Sequence, residues 1–311
     1  MRRSPLLSLA GLLAVVVVWG VNFAVIKVPL EVAPPFTVNL LRFVVSLVVL
    51  GALHVGQARA RGRSPFATFE AGWREVVGLG LLGILVYQMG FIVGVSRVAA
   101  GTSALLIATS PGWTALAGHA LGIERLLPAG WAGVGLSLAG VALVVAGNPE
   151  ASFAGEGLGI GLMLGAAVAW GVYTALTRPL LARGASPLGL TFWGVVVSFP
   201  GLVALAAPEL PAVDWAAFDG WDVAALLFSG GLSTGLAYAI WNESVQRVGP
   251  SRTAAFSNLV PFVAVLAGIA LQGERVTALQ LAGGVVVVAG IVLLRRRGVA
   301  PAEPRRQPAG G

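Results

Sequence analysis

Four short stretches of the chain combine hydrogen-bonding and aromatic side chains: "WGVNF" from Trp19, "YQMGF" from Tyr87, "WGVYT" from Trp170 and "STGLAYAIWN" from Ser233. Within them stand Trp19, Asn22 and Phe23; Tyr87, Gln88 and Phe91; Trp170, Tyr173 and Thr174; and Thr234, Tyr238, Trp241 and Asn242. Their spacings of three, four and seven line one stripe of a helix. Amides and phenols offer hydrogen bonds, and ring faces offer stacking and cation contacts. This is the chemistry of holding a small molecule. No nucleophile–base pair and no pair of carboxylates stands among them.

Arg42, in "VNLLRFVVSLVVL", is the one basic residue well inside an apolar run. Its planar fork of five N–H donors suits a carboxylate. At mid-membrane depth an arginine costs ~2.5–3.5 kcal/mol on insertion scales. Two readings stand side by side. Arg42 either snorkels or bonds a backbone carbonyl, or it lines a cavity for a carboxylate-bearing or otherwise polar ligand. The stripes likewise read as an interfacial belt of Trp and Tyr or as a cavity wall. All three tyrosines of the chain fall in the stripes, which favours the wall. The candidate substrate-binding residues are Trp19, Asn22, Arg42, Tyr87, Gln88, Trp170, Tyr173, Tyr238, Trp241 and Asn242.

Apolar helices must position these groups. Hydrophobic residues make up 57% of the 311 and charged residues 11%, where a soluble domain carries ~25% charged. The 20 basic and 13 acidic residues cannot cover a water-facing surface of this size. Scattered among the apolar runs are 43 glycines, which let membrane helices approach closely. With no cysteine in the chain, disulfides, thiol catalysis and zinc–thiolate sites are excluded. His54 and His119 fall near helix ends and read as interfacial packing. No metal site or cofactor is expected.

A membrane crossing takes ~20 apolar residues through ~30 Å of hydrocarbon. Ten runs qualify, near 7–26, 34–54, 75–95, 101–120, 127–147, 157–177, 187–207, 222–242, 251–271 and 277–294. The expected fold class is an all-α polytopic membrane protein. The first run follows basic residues, as a signal peptide does, but no small-x-small cleavage site follows it. It also recurs: "AVVVVWGVNFAVIK" resembles "GAAVAWGVYTALTR". Further on, an offset of 150 links Arg97 to Arg247, Pro111 to Pro261, Gly118 to Gly268, Glu124-Arg125 to Glu274-Arg275 and Gly140 to Gly290. The predicted organisation is a five-helix repeat over 1–150, a second over 151–297 and a cytoplasmic tail over 298–311.

An odd number of crossings starts the second repeat on the opposite side, so the two halves are expected to be inverted around a central cavity. Cytoplasmic loops carry an excess of Lys and Arg. With the N-terminus inside, sixteen basic residues fall inside and only Lys27, Arg97 and Arg275 outside. The segment "PELPAVDWAAFDGWD", with four acids and no base, also falls outside. Both termini are then cytoplasmic. The formal net charge of +7 is a topology signal and leaves no role for nucleic acid. Glu124-Arg125 and Glu274-Arg275 read as anchors of tight turns at opposite faces.

"VVVVWGVNFAVIKV", "PPFTVNLLRF" and "GERVTALQLAGGVVVVAGIVLL" resemble the EamA group of the drug/metabolite transporter superfamily, over about 8–295. That resemblance implies ten transmembrane helices in two inverted five-helix repeats. Helices 1–4 and 6–9 would surround the cavity, with helices 5 and 10 peripheral. It also implies transport of small metabolites such as amino acids or their derivatives, often as efflux, in a bacterial-type inner (plasma) membrane. The expected partners are a small-molecule substrate and the lipid bilayer, with homo-oligomerisation left open.

Pro111 in "IATSPGW" and Pro261 in "FSNLVPF" interrupt equivalent helices and are the candidate hinges of an alternating-access cycle. No nucleotide-binding "GxxxxGK[ST]" loop is present. Glu243 is the carboxylate closest to a span interior, so ion coupling and uniport both stay open. The competing classes are an intramembrane lipid-modifying enzyme and a receptor or scaffold without transport. The enzyme would need a nucleophile, base or metal cluster within the spans, and the sequence offers none.

Overall fold

The computed structural model describes residues 5–147 and 156–301. The repeat boundary at 150/151, Arg2, Arg3 and the tail from residue 302 lie outside the described residues. Helix α1 spans Pro5–Val25 and runs on through Lys27–Leu30. Then come α2, Pro35–Ala60, and α3, Trp73–Arg97. Helix α4 is in two pieces, Ala100–Ile107 and Ser110–Ala120. Helices α5, Pro128–Ala146, α6, Glu156–Ala182, and α7, Pro187–Ala206, follow. Helix α8 covers Gly220–Val248. Helix α9 runs through Pro250–Ala254, a 3-10 stretch Ala255–Leu259 and Val260–Gln272. Helix α10 is Ala278–Arg297.

Among the described residues six helices are long and apolar enough to cross a membrane: α1, α2, α3, α6, α7 and α8. Shorter apolar helices occupy Pro128–Val144, Val260–Gln272 and Ala278–Leu294. The chain is a polytopic, all-α membrane protein with one small addition. Strand β1, Glu124–Leu126, pairs antiparallel with β2, Val299–Pro301. The start of the expected tail is thus tied to the α4–α5 connection, a pairing across 175 residues that no local pattern announces.

Helix ends follow their local sequence. Ser186 caps α7 by accepting from the Gly189 N–H, with Pro187 in the first turn. Asp219 and Asp222 form a capping box on α8, and Thr277 and Gln280 form one on α10. The backbone N–H groups of Asp222 and Trp221 hold the Asp219 carboxyl below the usual aspartate range. Gly273, at φ 64°, ends α9 in the left-handed conformation that glycine adopts without strain.

Glycines set the closest crossings. Helices α5 and α10 meet backbone to backbone: a Cβ on Gly133 would lie 2.6 Å from the Gly290 carbonyl oxygen, and one on Gly283 2.7 Å from that of Gly140. Ser137 donates to the Val287 carbonyl oxygen at this crossing, 3.3 Å away. Both α3 and α8 widen to a π-helical ladder, over Leu81–Val86 and Phe228–Leu236. Such departures re-aim side chains and recur at functional sites. Here they lie just before Tyr87-Gln88 and just before and around Thr234 and Tyr238.

Candidate functional site

Helices α1, α2, α3, α4, α6, α8 and α9 line a central cavity. Of the expected residues, Trp19, Asn22, Arg42, Tyr87, Gln88, Trp170 and Tyr238 line it. Phe23, Phe91 and Thr234 join them. Tyr173, Trp241 and Asn242 are not in the lining but pack behind it. Tyr173 and Trp241 pack at a tilt against Trp170, 5.2 and 5.6 Å between ring centres. The Asn242 amide donates to the Tyr173 hydroxyl (2.8 Å) and to Thr191 Oγ1 (2.9 Å).

Arg42 is the chemical centre of the cavity. It is 1% exposed, so it does not snorkel. Nη2 donates to Thr234 Oγ1 at 2.8 Å and Nη1 to Asn39 Oδ1 at 3.1 Å, with Gln88 Oε1 at 3.5 Å. Its Cζ lies 6.0 Å from the Phe91 ring centre, at the outer limit of a cation–π contact. No Asp or Glu is among the lining residues. The Arg42 Nε and the Asn22 Oδ1 find no hydrogen-bond partner among the described residues. A buried cation whose neighbours are neutral is costly unless something else balances it.

The aromatic wall comes largely from α1, α6 and α8. Trp19 meets Trp170, Tyr238 and Trp241 at 5.5, 5.9 and 5.0 Å. Its indole N–H donates to the Ser233 carbonyl oxygen, 3.0 Å away. Gln88 Nε2 donates to the Tyr238 hydroxyl at 3.1 Å, tying α3 to α8.

The prolines sit differently from a mid-helix kink. Pro111 falls in the first turn after the break in α4, and Pro261 in the first turn after the 3-10 stretch of α9. There a missing N–H costs no helical bond. Ser110 and Ser257 line the cavity at the two breaks. Thr109 Oγ1 donates to the Leu106 carbonyl oxygen at 2.8 Å, and Ser257 Oγ donates to that of Ala254. The Asn258 side chain lies outside the described residues. Glu243 does not reach the cavity lining and forms an ion pair with Arg247. Sequence reasoning missed Ala104, Ile107 and Ala108 of α4, which close one side. Small apolar residues in an apolar helix carry no signal. Sequence reasoning also passed over Asn39, whose one signal is a polar side chain one turn before Arg42.

The model of a family described as the EamA-like transporter family matches residues 6–146 and again 157–296. A protein of Salmonella typhimurium named "Probable amino-acid metabolite efflux pump" is 30% identical, over 90% of this chain and 92% of its own. A "Probable terminal-alkyne amino-acid exporter" of Streptantibioticus cattleyicolor is 30% identical, over 92% of this chain and 93% of its own. An "Uncharacterized inner membrane transporter" of Escherichia coli is 25% identical, over 98% of this chain and 96% of its own. A solved crystal structure superposes with a TM-score of 0.67 at 20% identity, covering 93% of this chain and 97% of that one. At that identity the likeness speaks for the fold alone.

Proposed function

The chain belongs to the EamA-like transporter family, and from that premise we propose that it is a secondary carrier exporting amino-acid-type solutes by alternating access. The observation that carries the solute class is the pair of unmatched groups in the cavity. Arg42 Nε is a buried donor and Asn22 Oδ1 a buried acceptor, each without a partner among the described residues. A carboxylate and an ammonium on one small solute supply what each lacks. The Trp19, Trp170 and Tyr238 rings then accept an apolar side chain. The names of two relatives, an amino-acid metabolite efflux pump and a terminal-alkyne amino-acid exporter, support the same class and the outward direction. Family and relatives speak for transport rather than catalysis.

The proposed architecture is ten transmembrane helices as two inverted five-helix repeats, over 1–150 and 151–297, with the tail beyond. The two separate family matches support it. So do contacts that return on exchange of the halves: Gly133 meets Gly290, and their equivalents Gly283 and Gly140 also meet. The inner membrane is the proposed site, with both termini cytoplasmic, as the arginine distribution favours. Pro111 and Pro261 are the proposed hinges.

The test is flux of labelled amino acids and other metabolites through purified protein in liposomes, per correctly folded molecule. Arg42→Gln is expected to lower flux at least tenfold. Arg42→Lys keeps charge but loses the planar fork, so it falls between. Wild-type flux in both variants would remove Arg42 from the substrate site. Failure of every amino acid beside transport of another solute would overturn the proposed class.

A further inference from the structure

A second cleft opens where the α2–α3 and α6–α7 connections meet, apart from the central cavity. His54, Arg61, Arg63, Arg183 and Ser186 are among its walls. We infer that this cleft binds a hydroxyl-bearing phosphate ester, gripped by Arg61, Arg63 and Arg183 with its hydroxyl on His54.

The charge in the cleft favours an anion. Three guanidiniums face one lining acid, Glu70. Arg183 is shared with Glu75 at 2.9 Å, and Arg61 Nη1 donates to Gln57 Oε1 at 3.3 Å. Each guanidinium has five donors, so these contacts leave most of them for phosphate oxygens. Ser186, the N-cap of α7, brings the amino end of a 20-residue helix to the wall, where the helix dipole also favours an anion.

His54 supplies an independent indication. The residue is 5% exposed, and its ring is stacked on Phe192 at 4.9 Å. Its Nε2 lies 2.8 Å from the Pro65 carbonyl oxygen. A carbonyl only accepts, so Nε2 carries a proton, and in the tautomer with its one proton there Nδ1 is an acceptor. That Nδ1 is buried and has no partner among the described residues. A ligand hydroxyl donating to Nδ1 satisfies it, and the arginines take the ester oxygens. A phospholipid headgroup and a free phosphate ester both present this chemistry.

The experiment places the full chain in phosphatidylcholine nanodiscs. One arm adds phosphatidylglycerol and the other soluble glycerol 3-phosphate. Bound ligand is read by native mass spectrometry across a concentration series. Saturable binding is expected, weakened at least tenfold in the R61Q/R63Q double variant. Both arginines are exposed, so packing is spared. The R59Q/R74Q variant removes the same charge outside the cleft and is expected to bind as the wild type. Binding in the lipid arm alone assigns the headgroup, and binding of glycerol 3-phosphate assigns a free ester. No saturable binding in either arm overturns the inference. So does equal weakening in both double variants, which would mark a bulk charge effect, or undiminished binding by R61Q/R63Q.

Discussion

Arg42 owes its position to a glycine on the facing helix. A Cβ at Gly230 would lie 2.3 Å from the Arg42 carbonyl oxygen, whereas one at Gly231 would make ordinary 3.7 Å contacts with Val45 and Val49. Gly230→Ala is therefore expected to push α8 from α2, lowering stability by about 1–3 kcal/mol and reducing flux. Gly231→Ala is expected to change little. Thermal unfolding in detergent, read beside flux, checks both, and an unshifted Gly230→Ala would contradict the close crossing. The polar half of the cavity was legible in the sequence. Asn22, Arg42 and Gln88 are conspicuous in apolar runs, and helical spacing gave the face. Spacing does not give depth, however. Asn242 and Tyr173 share the stripes, but they satisfy each other and Thr191 behind the wall. A hydrogen-bond partner 51 residues away cannot be read from periodicity.

At the scale of elements, the breaks in α4 and α9 and the π stretches of α3 and α8 set these four cavity-lining helices apart from plain rods. The prolines announced the breaks. The π stretches carry no residue signature beyond glycine. If the breaks act as hinges, Pro111→Ala and Pro261→Ala allow the two pieces of each helix to join. Turnover should fall severalfold with little change in solute affinity. Single-turnover binding and steady-state flux separate these quantities, and unchanged turnover in both variants would reduce the prolines to helix starters. The repeated doublet shows the limit of local reading. Glu274 looked like a turn anchor, yet its carboxylate accepts from the Ala100 and Gly101 N–H groups and caps α4. Glu124 lies 4.0 Å from Arg178 of α6. Each carboxylate reaches into the other half of the chain, which only the assembled fold reveals.

At the scale of the whole molecule, one relation runs through the contacts: residues about 150 apart meet. Gln88 bonds Tyr238, Trp19 packs on Trp170, and Ser137 donates to Val287. Such pairs lie near the axis if the halves are related by a two-fold in the membrane plane, the arrangement on which alternating access depends. Around the cavity, the chain before residue 150 supplies Asn22, Arg42 and Gln88 together with Trp19 and Tyr87, and the chain after it supplies Trp170, Thr234 and Tyr238. The inversion is the central claim, and the absence of native cysteine lets it be tested on the unaltered chain. Arg125 and Arg275 are equivalent and exposed. Single cysteines at these positions are treated in intact cells with a membrane-impermeant thiol reagent. The cysteine at 275 is predicted to label from outside, and the one at 125 only after the cells are opened. Labelling of both positions from the same side would contradict the inverted halves and the carrier cycle built on them.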